Sequence, residues 1–352
     1  MTTNGSGAAA GARRIGNGLL YLSGADVDKA CQEVDPVACV AQALAAHAAG
    51  EVDLPDEAVL RWEPQGGGMA RTLNMPGLIG GPVPVIGTKI INASIQNPTL
   101  GLPRASGLTL LFNPVTARPE AILQAAGISA LRTAAVSTLA ARHLQPDVAQ
   151  VLGVIGAGPI ARAHVLLMTE HLQIDRVLVC DLVDDRAEAL VKDLRDVCAP
   201  ATVEHVAEPD ELVRAADIVV TATTTTTAYI RYDWLKPGSL VVNVSLDDVD
   251  EEAYLRADRL YVDDWNLVVA DTQRLMGKLA RADKIAAPGG SGGGRPVTGT
   301  VGQLVSGTCP GRDDERQIVV VNPFGMAIGD LAIASRVYEV ALLRNYGMFL
   351  DP

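Results

Sequence analysis

The chain has 352 residues, with 41 acidic against 29 basic side chains for a formal charge of −12, and 48% hydrophobic against 20% charged residues. An acidic excess has the wrong sign for gripping a phosphate backbone, which argues against nucleic-acid binding, and the apolar content argues against intrinsic disorder. No apolar run reaches the roughly 18 to 20 residues that a membrane helix needs, so a soluble protein is expected, and the length suggests two domains.

In chain order, Met1 to Arg14 is small and polar, without the apolar core of a secretory signal, and residues 1–14 read as a flexible tail. A strand-like Leu19 to Leu22 precedes a helical stretch from Asp26 to Ala49. Apolar runs at Val83 to Ser94, Gly107 to Phe112 and Glu120 to Ala125, separated by Gly/Pro turns, predict a β-rich unit. A helical pattern from Ile128 to Leu144 leads into alternating strand and helix signals between Ala149 and Val244, the rhythm of βαβ units and a parallel sheet. A last strand, Gln317 to Val321, precedes a helical stretch from Met326 to Leu343. The expected fold class is therefore α/β: a β-rich α+β unit at 15–130, completed by 323–352, and a Rossmann-type unit at 131–322. Gly289 to Gly294 reads as a loop or hinge. The five cysteines are odd in number and lack CxxC spacing, which fits a reducing cytoplasm; with the five scattered histidines, no metal site is expected.

The strongest local signal is Val151-Leu-Gly-Val-Ile-Gly156-Ala-Gly158-Pro159-Ile160-Ala161, an apolar strand running through GxGxxA into a helix. Gly156 permits the tight turn, Gly158 lets backbone approach a pyrophosphate, Ala161 allows close helix packing, and the helix N-terminus offers free N–H groups to the anion. A second strand ends at Asp181, at the distance where an acid accepts from the adenosine ribose hydroxyls. That acid would repel a 2′-phosphate, so NAD is expected over NADP. Thr221 and Thr223 follow an apolar strand at the sheet's carboxyl edge, where they either line the cofactor cleft or form an ordinary polar loop.

Several charged residues interrupt apolar or small-residue segments. Lys89 lies inside a strand-like run, where a charge is costly unless paired or used; Arg132 sits in an Ala/Ser/Thr-rich helix, Arg61 precedes Trp62, and Arg104 follows a Gly-Leu-Pro turn. Each alone is compatible with a surface ion pair; together in a cleft they would recognise carboxylates. Asp247 and Asp248 follow another strand, where an acid can serve general acid/base chemistry, or Asp248 or Asp250 can cap the helix beginning near Glu251.

The stretches Gly87-Thr-Lys89-Ile-Ile-Asn, Gly101-Leu-Pro-Arg104-Ala-Ser, Ile128-Ser-Ala-Leu-Arg132-Thr-Ala-Ala, Gly156-Ala-Gly-Pro-Ile-Ala161, Asn243-Val-Ser245-Leu-Asp-Asp248 and Pro323-Phe-Gly-Met-Ala resemble the ornithine cyclodeaminase/mu-crystallin superfamily over about Leu19 to Leu343. The resemblance implies an NAD-binding Rossmann domain, a substrate and dimerisation domain, and a homodimer. It also implies carboxylate contacts at Arg61, Lys89 and Arg132, Asp248 as the acid acting on an imine with Lys89 beside it, and Ser245 on the cofactor side. The chain looks most like the branch that makes 2,3-diaminopropionate for siderophores and peptide antibiotics. Ornithine cyclodeaminases carry an acid in the strand after the Arg61 position; Ala70-Arg71-Thr-Leu-Asn-Met-Pro76 has none, and Arg71 becomes a further carboxylate contact. The implied reaction is NAD-dependent oxidation of N-(2-amino-2-carboxyethyl)-L-glutamate to a ketimine, then hydrolysis to 2,3-diaminopropionate and 2-oxoglutarate. The alternatives are ornithine or lysine cyclodeamination, and a ketimine reductase or amino-acid dehydrogenase.

Overall fold

A computed structural model describes residues 18–65, 67–290 and 293–351; the expected tail at 1–14, and residues 291 and 292 of the glycine-rich segment, lie outside them. In chain order come β1 (Leu19–Leu22), α1 (Gly24–Cys31), α2 (Pro36–Ala48), β2 (Val52–Asp53), β3 (Ala58–Trp62), β4 (Ala70–Ile79), β5 (Val85–Ser94), β6 (Ala105–Phe112), β7 (Pro119–Gln124) and α3 (Ala125–Leu144). Next are β8 (Val151–Ile155), α4 (Pro159–His171), β9 (Arg176–Cys180), α5 (Asp184–Leu194), β10 (Thr202–His205), α6 (Pro209–Ala215), β11 (Ile218–Thr221), β12 (Leu240–Asn243), α7 (Glu251–Arg256) and β13 (Arg259–Val262). The chain continues through α8 (Trp265–Ala270), α9 (Leu275–Arg281), β14 (Ile285–Ala286), β15 (Arg295–Pro296), β16 (Gly299–Thr300), α10 (Val301–Val305), β17 (Val319–Asn322), α11 (Ala327–Arg344) and β18 (Met348–Leu350).

The single helix expected from Asp26 to Ala49 is two, α1 and α2. Pro36 cannot donate to a continuing helix but suits a first turn, and the Asp35 side chain accepts from the N–H groups of Val37 (2.9 Å) and Ala38 (3.0 Å), so this pair starts a new helix.

Two sheets organise the fold. The first has the order β18-β1-β7-β6-β5-β4-β2, with β3 also on β4; β1 is parallel to β7 and the other neighbours are antiparallel. The second, β10-β9-β8-β11-β12-β17-β13-β16, is parallel throughout. Its chain runs outward from β8 to β10 and then returns to β11 on the other side of β8, which opens a crevice at the carboxyl ends of β8 and β11. The flanks of the glycine-rich segment, β14 and β15, pair with each other.

Helix α11 lies across the first sheet because two strands carry glycine beneath it. A Cβ on Gly87 would stand 2.3 Å from the Leu110 carbonyl oxygen and 2.8 Å from a Leu331 methyl, and one on Gly77 would stand 3.3 Å from Leu331. Helices α3 and α4 are tied by buried His164, whose ring nitrogens lie 2.8 Å from the Ile160 carbonyl oxygen and 2.8 Å from Ser137 Oγ. That bond fixes the helix bearing Arg132 against the helix that follows Gly158. Among the described residues no helix is long and apolar enough to cross a membrane.

Candidate active site

The nucleotide side is built from backbone. Gly156 has φ +105°, and a Cβ there would meet the Ala222 carbonyl oxygen at 2.6 Å, so only glycine lets the turn pass the end of β11. The Gly156 N–H donates to the Cys180 carbonyl at 2.7 Å and holds the loop to β9. Gly158 caps α4, and nothing lies within 4 Å of where its Cβ would be; Pro159 begins the helix, Ile160 follows, and Ala161 is fully buried. This open cradle above unpaired helix N–H groups fits a pyrophosphate. Asp181, just past β9, accepts from Ala157 N–H at 2.8 Å and Val183 N–H at 3.0 Å, which sets its carboxylate at the crevice edge. The arrangement fits a dinucleotide.

Thr221, Asn243 and Asn322 end the neighbouring strands β11, β12 and β17, and from them a polar network reaches Asp248. Thr223 and Tyr229 hydroxyls donate to Asp248 Oδ1 at 2.7 and 2.9 Å, and Ser245 Oγ lies 2.5 Å from Oδ2 and 2.8 Å from Thr221 Oγ1. Asp248 is fully buried, and burial raises its pKa against the opposing pull of these hydroxyls. Of the two acids that could cap the helix beginning near Glu251, Asp250 does so, accepting from Ala253 N–H at 2.8 Å, while Asp248 serves no cap.

On the first sheet, Arg61 is the cross-strand partner of Arg71, and Met75 of Lys89, so period-two alternation brings Arg61, Arg71 and Lys89 to the face that α11 covers. Like charges directly opposite each other on a sheet are unfavourable, so the arginine pair requires another reason. The Arg71 pKa is lowered by burial and by the charges of Arg104, Arg274 and Arg61. Among the described residues Arg61, Arg71 and Arg104 make no ion pair. Lys89 is almost wholly buried; its Nζ lies 2.8 Å from Asp330 Oδ2, which Arg132 Nε approaches at 3.1 Å. Burial and then Arg132 push the lysine down to about 8 despite Asp330.

Three members of this cluster were not legible as site residues. Asp330 is an acid inside the apolar helix α11, and its out-of-place charge was the available signal. Glu57 precedes β3; burial raises its pKa, while Lys89, Arg132 and Arg274 oppose the rise. Arg274 reaches the cluster from the second sheet, in contact distance of Asp271 at 3.4 Å, with its guanidinium 4.4 Å from the centre of the Phe324 ring. Its Nε and Nη1 are buried without a hydrogen-bond partner. Next to it, Leu275 N–H donates to Asp247 at 2.6 Å, so the turn carrying Asp248 and the helix carrying Arg274 are fastened together. Among the described residues no cluster of three His, Cys, Asp or Glu side chains is placed to hold a metal.

A family model described as the ornithine cyclodeaminase/mu-crystallin family matches residues 20–345. The chain is 33% identical over 338 residues to the N-((2S)-2-amino-2-carboxyethyl)-L-glutamate dehydrogenase of Staphylococcus aureus, covering 95% of this chain and 98% of that protein. It is 37% identical to the crystal structure of CmnK, with a TM-score of 0.87 over 96% of this chain and 99% of that one. The fold is shared with a Thermococcus litoralis Delta(1)-pyrroline-2-carboxylate reductase solved with NADH and L-proline, at 23% identity and a TM-score of 0.84, over 94% of this chain and 99% of that one.

Proposed function

The chain belongs to the ornithine cyclodeaminase/mu-crystallin family, and from that premise we propose that it is an NAD-dependent oxidoreductase acting on a C–N bond of an amino acid carrying several carboxylates. The observation that carries this reading is the convergence of Arg61, Arg71, Arg104, Lys89, Arg132 and Arg274, the first three of them in no ion pair among the described residues. A single α-carboxylate does not call for so many cations. N-(2-amino-2-carboxyethyl)-L-glutamate has three carboxylates and a primary amine, and the name of the Staphylococcus aureus relative supports it as substrate.

Gly156, Gly158, Pro159, Ile160 and Ala161 would cradle the cofactor's pyrophosphate, Asp181 its ribose, and Thr221, Thr223 and Ser245 the inner wall of the crevice. NAD, when bound, supplies the acceptor for the hydride leaving the glutamate α-carbon. Lys89 and Arg132 clamp the carboxylate next to that carbon, with Asp330 orienting both, and Arg61, Arg71, Arg104 and Arg274 take the other two. Glu57 takes the primary ammonium. Asp248, held by Thr223, Tyr229 and Ser245, moves protons at the imine nitrogen and the attacking water, so the products are 2,3-diaminopropionate and 2-oxoglutarate. We place the substrate unit at 15–130 with 323–352 and the cofactor unit at 131–322. The homodimer would cover the first-sheet face that leaves Leu60 and Trp62 exposed, and the five free cysteines suit a cytoplasmic enzyme.

Mixing the protein and NAD with N-(2-amino-2-carboxyethyl)-L-glutamate should give NADH and 2-oxoglutarate in equal amounts and no ammonia. Glu57 supports a second reading, because a cyclodeaminase also needs an acid for its substrate's distal amine. Ammonia and proline from L-ornithine without net NADH would establish that reading and refute the first.

A further inference from the structure

We propose that a one-way hydrogen-bond chain running from β17 to the active-site turn holds Asp248 as the neutral acid, protonated on Oδ2, in the resting protein. The direction is set at its far end. Asn322 lies 2.8 Å from the backbone carbonyl of Asn243, which can only accept, so the Asn322 amide nitrogen faces it and Oδ1 faces Tyr254. The Tyr254 hydroxyl therefore gives its proton to Asn322 Oδ1 at 3.1 Å. Asn243 must then offer its amide nitrogen to the Tyr254 oxygen at 2.8 Å, an orientation that the Leu246 carbonyl, 3.4 Å from the same nitrogen, also requires.

Asn243 Oδ1 is left facing Thr221, whose hydroxyl donates to it at 2.7 Å. With that proton used, the 2.8 Å contact between Thr221 and Ser245 takes the serine proton. A serine hydroxyl has one proton, so the 2.5 Å contact between Ser245 Oγ and Asp248 Oδ2 is left for the carboxyl group to fill. The other oxygen agrees: Oδ1 behaves as a carbonyl accepting from Thr223 and Tyr229, and Thr223 is free to donate because its own oxygen accepts from Thr225 N–H at 3.1 Å.

The surroundings favour the uncharged form. Tyr229, Tyr254 and Asp247 face Asp248, none of them cationic; Arg274, from the helix fastened to Asp247, is a cation that acts on Tyr254, and no Lys, Arg or His makes an ion pair with Asp248 among the described residues. Thr221, Asn243, Tyr254 and Asn322 are thus positioning residues. The role of this proton in turnover rests on the imine reading. Oδ2–H gives its proton to the nitrogen of the carbinolamine; the C–N bond breaks with its electron pair going to nitrogen, and the hydroxyl proton returns to Asp248 as the C=O forms, regenerating the acid.

The test needs no substrate. An infrared difference spectrum between the protein and its Asp248→Asn variant should show the carbonyl stretch of a neutral carboxyl group at pH 7. Tyr254→Phe removes the shorter of the two bonds that orient Asn243 and leaves only the 3.4 Å contact to the Leu246 carbonyl, so that the amide can turn over and reverse the chain, and Thr221→Val leaves the serine proton for Asp248. Each should lower the midpoint at which the band bleaches by about one pH unit, a tenfold loss of proton affinity, while Thr221→Ser restores it. Asp248→Asn places an N–H where the acid had its O–H, so its melting temperature should not fall. Absence of the band at pH 7 overturns the proposal, as does an unmoved midpoint in variants whose melting shows them folded. If neither variant folds, a fall in melting temperature of Asp248→Asn overturns it. Failure of the functional reading would instead appear as no NADH from the tricarboxylate substrate with the band intact.

Discussion

At the scale of single residues, the site is a problem of burying charge. Lys89 is buried, and its ion pair with Asp330, helped by the charge of Glu57, offsets the cost of removing its ammonium from water. The lysine loses its proton as pH rises through about 8, so affinity for a carboxylate ligand such as 2-oxoglutarate should weaken above that pH and hold steady below it; titration calorimetry across pH 7 to 9.5 checks this. Asp330→Asn leaves Lys89 and Arg132 without their shared counter-charge, which should cost about 3–5 kcal/mol of stability and at least tenfold in ligand affinity, read by denaturant melts and the same calorimetry. Lys89 and Arg132 stood out in the sequence as charges in apolar or small-residue segments. Asp330 carried the same signal, but an acid in a long helix reads as a solvated face until the helix is packed.

At the scale of elements, glycines and strand ends aim the side chains. Gly325, in the turn between β17 and α11, has φ +98°, and a Cβ there would stand 2.5 Å from Arg132 Nη1. Its N–H and that of Phe324 donate to buried Asp263, at 2.5 and 2.8 Å, so the turn is locked against the end of β13. Gly325→Ala should therefore push the Arg132 guanidinium aside and raise KM at least tenfold with a smaller effect on kcat, measured by steady-state kinetics; an unchanged KM would dissociate the turn from substrate binding. The fingerprint strand, its helix and β9 were legible because period and glycine spacing are local properties. The break between α1 and α2 was local too, in Asp35-Pro36, but the alanine-rich pattern on both sides masked it.

At the scale of the molecule, the formal charge of −12 contrasts with six cations facing one cleft. A positive cleft in an acidic protein focuses the field on anionic ligands and repels them from the remaining surface. The kcat/KM for the tricarboxylate substrate should therefore fall several-fold between about 20 and 500 mM salt, as measured with an inert chloride salt, and far less for a zwitterion such as alanine. The cleft exists only because two sheets meet: Arg61, Arg71, Arg104 and Lys89 come from the first, and Arg274 and Asp248 from the second.

The order of residues along the chain was enough to specify the parallel-sheet nucleotide crevice, the acid at Asp181 and a set of conspicuous cations, because turn geometry, strand period and the cost of burying charge are written in neighbouring residues. Which acid joins which cation came from folding alone, since Asp330 meets Lys89 across 241 positions. So did the assignment of the helix cap to Asp250 rather than Asp248. The polar residues that close the valine runs of β11, β12 and β17 look alike along the chain; their direction as a hydrogen-bond network appears only when adjacent strands bring Thr221, Asn243 and Asn322 side by side. Proton counting is a property of contacts, and contacts are what the fold supplies.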